Sequence, residues 1–428
     1  MTTPMKNGWV PRKLNDLGFV GRGKSRHRPR NAPELYGGPY PFVQTAEIMA
    51  SEFYITSHAK TYSEAGLAQS KMWQPHTLCM TIAGENTAET ALLSYPACFP
   101  DSVVGFIADP ALSDVRFVKY YLDYIKKRIR QVTRGATQDN LSLDKLLSFD
   151  IVAPPVAQQR KISSILATYD ELILNNTRRI AILEAMAQAI YREWFVDFRF
   201  PGHEKVKFVD SPLGMIPEGW EATEVGELCV SVRAGGTPRR NQESYWNNGT
   251  VDWYKTKELQ DGFLLSSEEQ ITELAANEST TRLFGPRTLL MAIYGSPTVG
   301  RMGILTKRSA CNQAALAMVP DIENVSLVFL YQVLMSLRDH FNNIAMGAAQ
   351  QNISKDKVVH AQCILPEQRL LSMYNSLAEP AFDLIENLSK RNASLRQTRD
   401  LLLPKLISGQ LDVEDLDIET GETLTMTE

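Results

Sequence analysis

The 428-residue chain has little of what builds metal centres or disulfide scaffolds. Its five cysteines (Cys79, Cys98, Cys229, Cys311, Cys363) form no Cys-x-x-Cys pair, and its six histidines show no His-Glu-x-x-His pattern. Buried reduced thiols and no bound metal are the expectation. No apolar run approaches the roughly 18 residues of a membrane span. The amino terminus, MTTPMKNGWVPRK, lacks the apolar centre of a signal peptide, which predicts a cytoplasmic chain without membrane contact. Catalytic signatures are missing too: there is no Asp/Asn-Pro-Pro-aromatic methyltransferase motif, no nuclease carboxylate cluster and no nucleophile elbow, which favours a reader over a catalyst. Excess positive charge is also absent. With 45 Lys+Arg against 49 Asp+Glu the net charge is −4, at first an argument against a partner as anionic as DNA. The last 18 residues, however, hold seven acids and no base; without this tail 45 bases face 42 acids, or +3. DNA is therefore not excluded. At 44% hydrophobic and 22% charged residues, the chain is of ordinary globular composition and long enough for two or three domains.

What the chain does have is an internal repeat. Gly8-Trp9 recurs as Gly219-Trp220 and Thr77-Leu78-x-Met80-x-Ile82-x-Gly84 as Thr288-Leu289-x-Met291-x-Ile293-x-Gly295, both 211 residues on. Gly135-Ala136-x-Gln138-x-Asn140-x-Ser142-x-Asp144-Lys145 recurs as Gly347-Ala348-x-Gln350-x-Asn352-x-Ser354-x-Asp356-Lys357, 212 residues on. Collinear matches mean two copies of one plan, each about 150 residues of mixed, turn-rich sequence followed by about 40 of helical sequence. Strand-like runs lie at Pro41-Phe42-Val43, Val251 to Tyr254 and Thr288 to Tyr294, and helical patterns at Val115 to Arg130 and Ser326 to His340.

Two long helices follow from heptads. Ile162, Leu166, Tyr169, Ile173, Asn176, Ile180, Leu183, Ala187, Ile190 and Trp194 keep an unbroken 4-3 spacing, with Asn176 the one polar residue among them. A lone seam asparagine fixes register and mate at some cost in stability. Leu370, Tyr374, Leu377, Ala381, Leu384, Leu388, Arg391, Leu395, Thr398 and Leu402 repeat the alternation, with Pro380 inside it predicting a kink or a late start. The predicted fold class is α+β: two tandem mixed α/β domains separated by two long helices that pair as an antiparallel coiled coil, with pseudo-two-fold symmetry. The plainer alternative packs each helix on its own domain.

Gly18 to Ser25 satisfies G-x-x-x-x-G-K-S, the phosphate loop of NTP-hydrolysing proteins, and this is the alternative function. Its context is wrong, because Pro29, Pro33 and Gly37-Gly38 deny it the following helix. The same segment carries Arg22, Lys24, Arg26, Arg28 and Arg30, cations suited to a phosphate backbone or to guanine edges. Gly235-Gly236-Thr237-Pro238-Arg239-Arg240 repeats that character, and further basic clusters lie at Lys126 to Arg134 and at Arg301, Lys307 and Arg308. A solvated charge run is the bland alternative. Aromatic and amide residues beside these clusters, the amides suited to adenine edges, include Tyr40, Gln44, Trp253, Tyr254, Tyr294, Asn312 and Gln313. One of Trp253 and Tyr254 is expected in the core and the other exposed. The repeated Gln138, Asn140 and Gln350, Asn352 segments are read either as ligand-contacting loops or, through Ser142 and Ser354, as caps of the next element. The candidate DNA-contacting residues are thus Arg22, Lys24, Arg26, Arg28, Arg30, Gln44, Gln138 and Asn140, and Thr237, Arg239, Arg240, Tyr254, Lys255, Lys257, Tyr294, Arg301, Gln350 and Asn352. The helix-pairing residues are Ile162, Leu166, Ile173, Asn176, Ile180, Leu183 and Ile190, with Leu377, Leu384, Leu388, Leu395 and Leu402.

The tandem Gly-Trp openings, the Gly-Gly-Thr-Pro-Arg-Arg loop leading to Tyr245-Trp246, the Asn312-Gln313-Ala314 step, the helix end Tyr191 to Phe198 and the closing Leu395 to Gly409 together resemble the DNA-specificity subunit of type I restriction-modification systems. The first half departs from the usual loop, having Gly21-Arg-Gly-Lys-Ser-Arg-His-Arg. The resemblance implies target-recognition domains at 1–154 and 201–365, spacer helices at 155–200 and 366–410, and an acidic tail at 411–428. Each domain is expected to read one half of a bipartite, asymmetric site on double-stranded DNA, with the helices setting the gap. The subunit itself is expected to be non-catalytic and to bind no cofactor. Two methyltransferase subunits using S-adenosylmethionine to methylate adenine N6, and restriction/translocase subunits using ATP and Mg2+, are the implied partners.

Overall fold

The computed structural model describes residues 8–84, 86–133, 140–295, 298–346 and 352–420. It divides into two compact units: unit 1 is Met1–Leu174 with Ser394–Glu428, and unit 2 is Asn175–Ala393. Each unit combines a globular half with a stretch of both long helices.

In unit 1 a five-stranded sheet has the order Gly18–Arg22, Val103–Ala108, Leu78–Thr81, Thr90–Leu93, Tyr54–Ile55, and a four-stranded sheet the order Lys60–Tyr62, Tyr36–Phe42, Ala97–Cys98, Met72–Trp73. Strand Leu78–Thr81 is buried on both faces, which is why it reads as an apolar run without alternation. Leu78 and Met80 face a core with Phe117, Val118, Leu122 and Ile129 of helix Val115–Thr133. Cys79 faces the other way, toward Trp73 and Phe99. Each fully buried aliphatic side chain contributes about 1.5–3 kcal/mol.

Unit 2 repeats this order. Its five strands run Cys229–Ala234, Ala315–Pro320, Leu289–Ala292, Met302–Leu305, Gly262–Leu264, and its four run Glu269–Ile271, Val251–Tyr254, Ser309–Cys311, Leu283–Phe284. Even the parallel pairings recur, Tyr54–Ile55 on Thr90–Leu93 matching Gly262–Leu264 on Met302–Leu305. The helices expected late in each half are Val115–Thr133 and the pair Leu327–Ser336 and Arg338–Met346.

The long helices are Val156–Tyr191, followed by a π-turn at Arg192–Val196, and Gln368–Ile407. Within unit 1, Ile162 and Leu166 pack in one core with Leu402, Leu403, Leu406 and Ile407, while Asp170 pairs with Arg399. Within unit 2, Asn176 Nδ2 donates to Asn392 Oδ1 at 2.9 Å, and Ala187 shares a core with Tyr374. In both units, later residues of one helix meet earlier residues of the other, so they run antiparallel. Ile173 is buried, and Ile180, Leu183 and Ile190 are half-buried against the unit 2 core.

Two expectations for the second helix change. It begins at Gln368 and is assigned as one helix through Pro380, so the start is not late. Pro380 is exposed, where solvent can take the carbonyl its missing N–H leaves unbonded. Its seam is also one residue out of the expected frame: Leu377 and Leu384 are 53% and 38% exposed, while Ala378, Ile385 and Asn392 are buried. Leu388 is buried, and Leu395 and Leu402 are half-buried. The adjacent pairs Leu377-Ala378, Leu384-Ile385 and Arg391-Asn392 permit either frame. The observed one gives Asn176 an amide partner, whereas the other would set Arg391 in the seam and leave that amide unsatisfied.

Candidate nucleic-acid interface

The phosphate-loop reading of Gly18 to Ser25 is overturned by the backbone. Gly18–Arg22 is a strand paired with Val103–Ala108, the next residues have no regular structure, no α-helix follows before the short 3-10 turn Pro33–Leu35, and Ser25 is buried. What the segment forms is a loop clamped at the end of the five-stranded sheet. Gly23 N–H donates to Val103 O at 2.9 Å and Lys24 N–H to Phe99 O at 3.1 Å. A Cβ on Gly23 would stand 2.2 Å from Phe99 O, so only glycine permits this approach. Unit 2 repeats the clamp: Gly235 N–H donates to Ala315 O at 3.1 Å, Gly236 N–H to Cys311 O at 2.9 Å, and a Cβ on Gly235 would stand 2.2 Å from Cys311 O.

Neighbouring segments complete a rim at the same end of each sheet. In unit 1, Ile82 N–H donates to Ser102 O, and Ala83 bridges Asn140. In unit 2, Ile293 N–H donates to Ala314 O, Tyr294 bridges Asn352, and Asn352 Oδ1 accepts from Gly295 N–H at 3.1 Å. Thr237 Oγ1 donates to Gln313 Oε1 across that rim. Ser142 and Ser354 cap helices Leu143–Ser148 and Lys355–Val359, so the capping alternative holds for the serines while the asparagines sit at the rim. Gln138 and Gln350 lie outside the described residues.

The basic residues differ in how far they are neutralised. Arg22, Lys24 and Arg26 are exposed and, among the described residues, have no acidic partner. Arg30 makes a two-pronged bond to Asp101 at 2.8 and 2.9 Å, and Arg28 bonds the carbonyls of Ser25 and His27 with Asp101 at 4.0 Å. In unit 2, Arg240 pairs with Glu269 at 2.5 Å and stacks on Trp246 and Trp253, 3.9 and 4.8 Å from their ring centroids. Lys255 pairs with Glu268 and Glu269, and Lys257 with Glu268. The bond to Glu269 holds Lys255 above its ordinary pKa, and bonds to Lys257 and Lys255 hold Glu268 below its own. Arg239 is exposed, Tyr294 is 43% exposed and Arg301 is half-buried. Gln44 starts helix Thr45–Ala50, its N–H donating to Glu47.

Tyr254 corrects an expectation. Both Trp253 and Tyr254 are buried, because strand Val251–Tyr254 is internal to its sheet and has a core on each face. Burial pushes the Tyr254 hydroxyl pKa up, and that hydroxyl donates to Asp252. Several cations of the more distant clusters are also internally occupied: Lys126 and Arg130 bond Glu89, Lys307 bonds Asp252 and Arg308 bonds Glu273. Arg134 lies outside the described residues. Sequence reading missed the acids Asp101 and Glu269; their role depends on contacts 71 and 29 residues away. Among the described residues no group of His, Cys, Asp or Glu is placed to hold a metal, and no helix is long and apolar enough to cross a membrane.

Two units of one topology, each ending in a clamped polar loop, match the family described as type I restriction modification DNA specificity domain over residues 6–185 and 217–369, and the chain belongs to that family. It is similar to the type I restriction enzyme MjaIX specificity subunit of Methanocaldococcus jannaschii, 25% identical over 414 residues and covering 95% of this chain and 94% of that protein. It is also similar to the HindI specificity subunit of Haemophilus influenzae, 21% identical over 468 residues, covering 93% and 99%. The crystal structure of a type I restriction-modification S subunit from M. genitalium shares the fold, with a TM-score of 0.59 at 16% identity over 95% of this chain and 97% of that one.

Proposed function

We propose that this chain is the sequence-reading subunit of a type I restriction-modification complex, with one recognition domain for each half of a bipartite, asymmetric double-stranded DNA site. The recognition domains are assigned to 1–154 and 201–365, the spacer helices to 155–200 and 366–410, and the acidic tail to 411–428. The observation that carries this reading is the repeated clamp: in both units a loop of cations or amides is held at the same end of the same sheet, while its side chains differ. Different side chains on one scaffold suit two dissimilar half-sites. Catalysis is assigned to partners, namely two methyltransferase subunits that bind S-adenosylmethionine and modify adenine N6, and restriction/translocase subunits using ATP and Mg2+. The assembly is placed in the cytoplasm. Co-expression with the cognate modification subunit, followed by genome-wide mapping of methylated adenines, is expected to yield one split motif with unlike halves. A continuous motif, or none, would overturn the reading. Deleting matched heptads from both helices should shorten the unread gap.

A further inference from the structure

The segment that supports the loop carries a repeated cation of its own. In unit 1, Ser70 Oγ donates to the Lys24 carbonyl at 2.8 Å, and Gln69 Oε1 accepts from His27 N–H at 3.0 Å. In unit 2, Thr281 Oγ1 donates to the Gly236 carbonyl at 3.2 Å. Ser70 and Thr281 stand 211 residues apart, and Lys24 and Gly236 stand 212 apart, so the same hydroxyl holds the same carbonyl in both copies. Each hydroxyl is followed by a cation, Lys71 or Arg282, and then by the edge strand Met72–Trp73 or Leu283–Phe284. Among the described residues, neither cation has an acidic partner. Lys71 Nζ lies over Trp73 and Phe19, 3.7 and 4.5 Å from the ring centroids. Burial, then the nearby Lys24, lowers its pKa.

Most rim residues change between units, Lys24 corresponding to Gly236, Arg26 to Pro238 and Asp101 to Gln313, each 212 residues apart, while Arg28 is kept as Arg240. At the Lys71 and Arg282 position the charge is kept. Groups that read bases must differ where half-sites differ, whereas the phosphate backbone is the same at both. We propose that Lys71 and Arg282 are equivalent contacts to DNA backbone phosphate, one in each recognition unit, placed by the hydroxyl that anchors the loop. This rests on the DNA-specificity reading above.

The test uses the complex with its modification subunits and two duplexes, one carrying the mapped split motif and one with that motif scrambled. Lys71→Gln and Arg282→Gln are each expected to weaken binding to both duplexes by a similar factor, roughly 3- to 10-fold, and to reduce the log–log salt slope by about 0.9 per variant. Lys71→Arg and Arg282→Lys are expected to restore both, which separates loss of charge from loss of fold. An unchanged salt slope, a defect confined to the motif duplex, or a defect the charge-keeping variants do not rescue overturns this proposal alone. Failure of the unmodified complex to prefer the motif duplex overturns the specificity reading beneath it.

Discussion

Among the described residues, unit 1 leaves Arg22, Lys24 and Arg26 without acidic partners, whereas unit 2 ties Arg240, Lys255 and Lys257 to Glu268 and Glu269. One difference lies on an edge strand. In unit 2, Glu269 sits opposite Trp253, which pairs in parallel with Ala310; in unit 1, Lys60 sits opposite Phe42, which pairs in parallel with Cys98. A carboxylate in one copy thus occupies the place of an ammonium in the other. The backbone plan is held in common while the electrostatics of the rim diverge, which is how one scaffold can present two different surfaces.

The largest expected contrast is in the helix pair. In unit 1 the buried Asp170 accepts from Tyr120 and pairs with Arg399, while burial raises its pKa; in unit 2 the same seam holds Asn176 and Asn392. Arg399→Leu strands a buried carboxylate and is expected to cost about 3–5 kcal/mol. Asn392→Leu loses a neutral amide pair, for about 1–3 kcal/mol. Hydrogen exchange resolved by unit should show the larger loss in unit 1; equal losses would sink the contrast. Next, Gly23→Ala and Gly235→Ala should destabilise their own units by similar amounts, about 1–3 kcal/mol, since each methyl meets a carbonyl at 2.2 Å. Unequal denaturation midpoints would show that the clamps are not equivalent.

Smaller effects follow from charge. Asp101→Asn frees Arg30 and removes the acid nearest Arg28, and Glu269→Gln frees Arg240 and removes one of the two acids paired with Lys255. Both should raise DNA affinity a few-fold at low salt and steepen its salt dependence, as measured by titration across ionic strength. The smallest is a pH effect confined to unit 2. Bonding to Glu224 raises the His360 pKa above the usual 6.5; the corresponding residue of unit 1, 212 positions earlier, is Ser148. A raised histidine stabilises the fold fully below its unfolded pKa and loses that contribution as pH climbs through the folded value. Melting of unit 2 between about pH 6 and 8 should therefore lose a small increment that His360→Gln abolishes; an unchanged profile in that variant would exclude His360 as the cause.

Much of this architecture was legible in the amino-acid order. The repeat spacings located equivalent strands and loops, and the first heptad run located the seam of helix Val156–Tyr191, because both are local patterns that recur at fixed intervals. Tyr254 was misread because alternation along a strand predicts one exposed face only if the sheet has one, and this strand has a core on each side. The cations could be counted from sequence, but their neutralisation could not, since Asp101 reaches Arg30 across 71 residues.

The sequence by itself determined that the chain holds two copies of one plan, each with a glycine-bearing loop and a long amphipathic helix. Only the tertiary structure decided which frame of Gln368–Ile407 faces its partner and which loop cations remain unpaired. Adjacent residues such as Arg391 and Asn392 offer the seam two local solutions, and the choice depends on whether a distant amide is satisfied. In the same way, a charge has an effective value only once folding has set the acids and rings beside it.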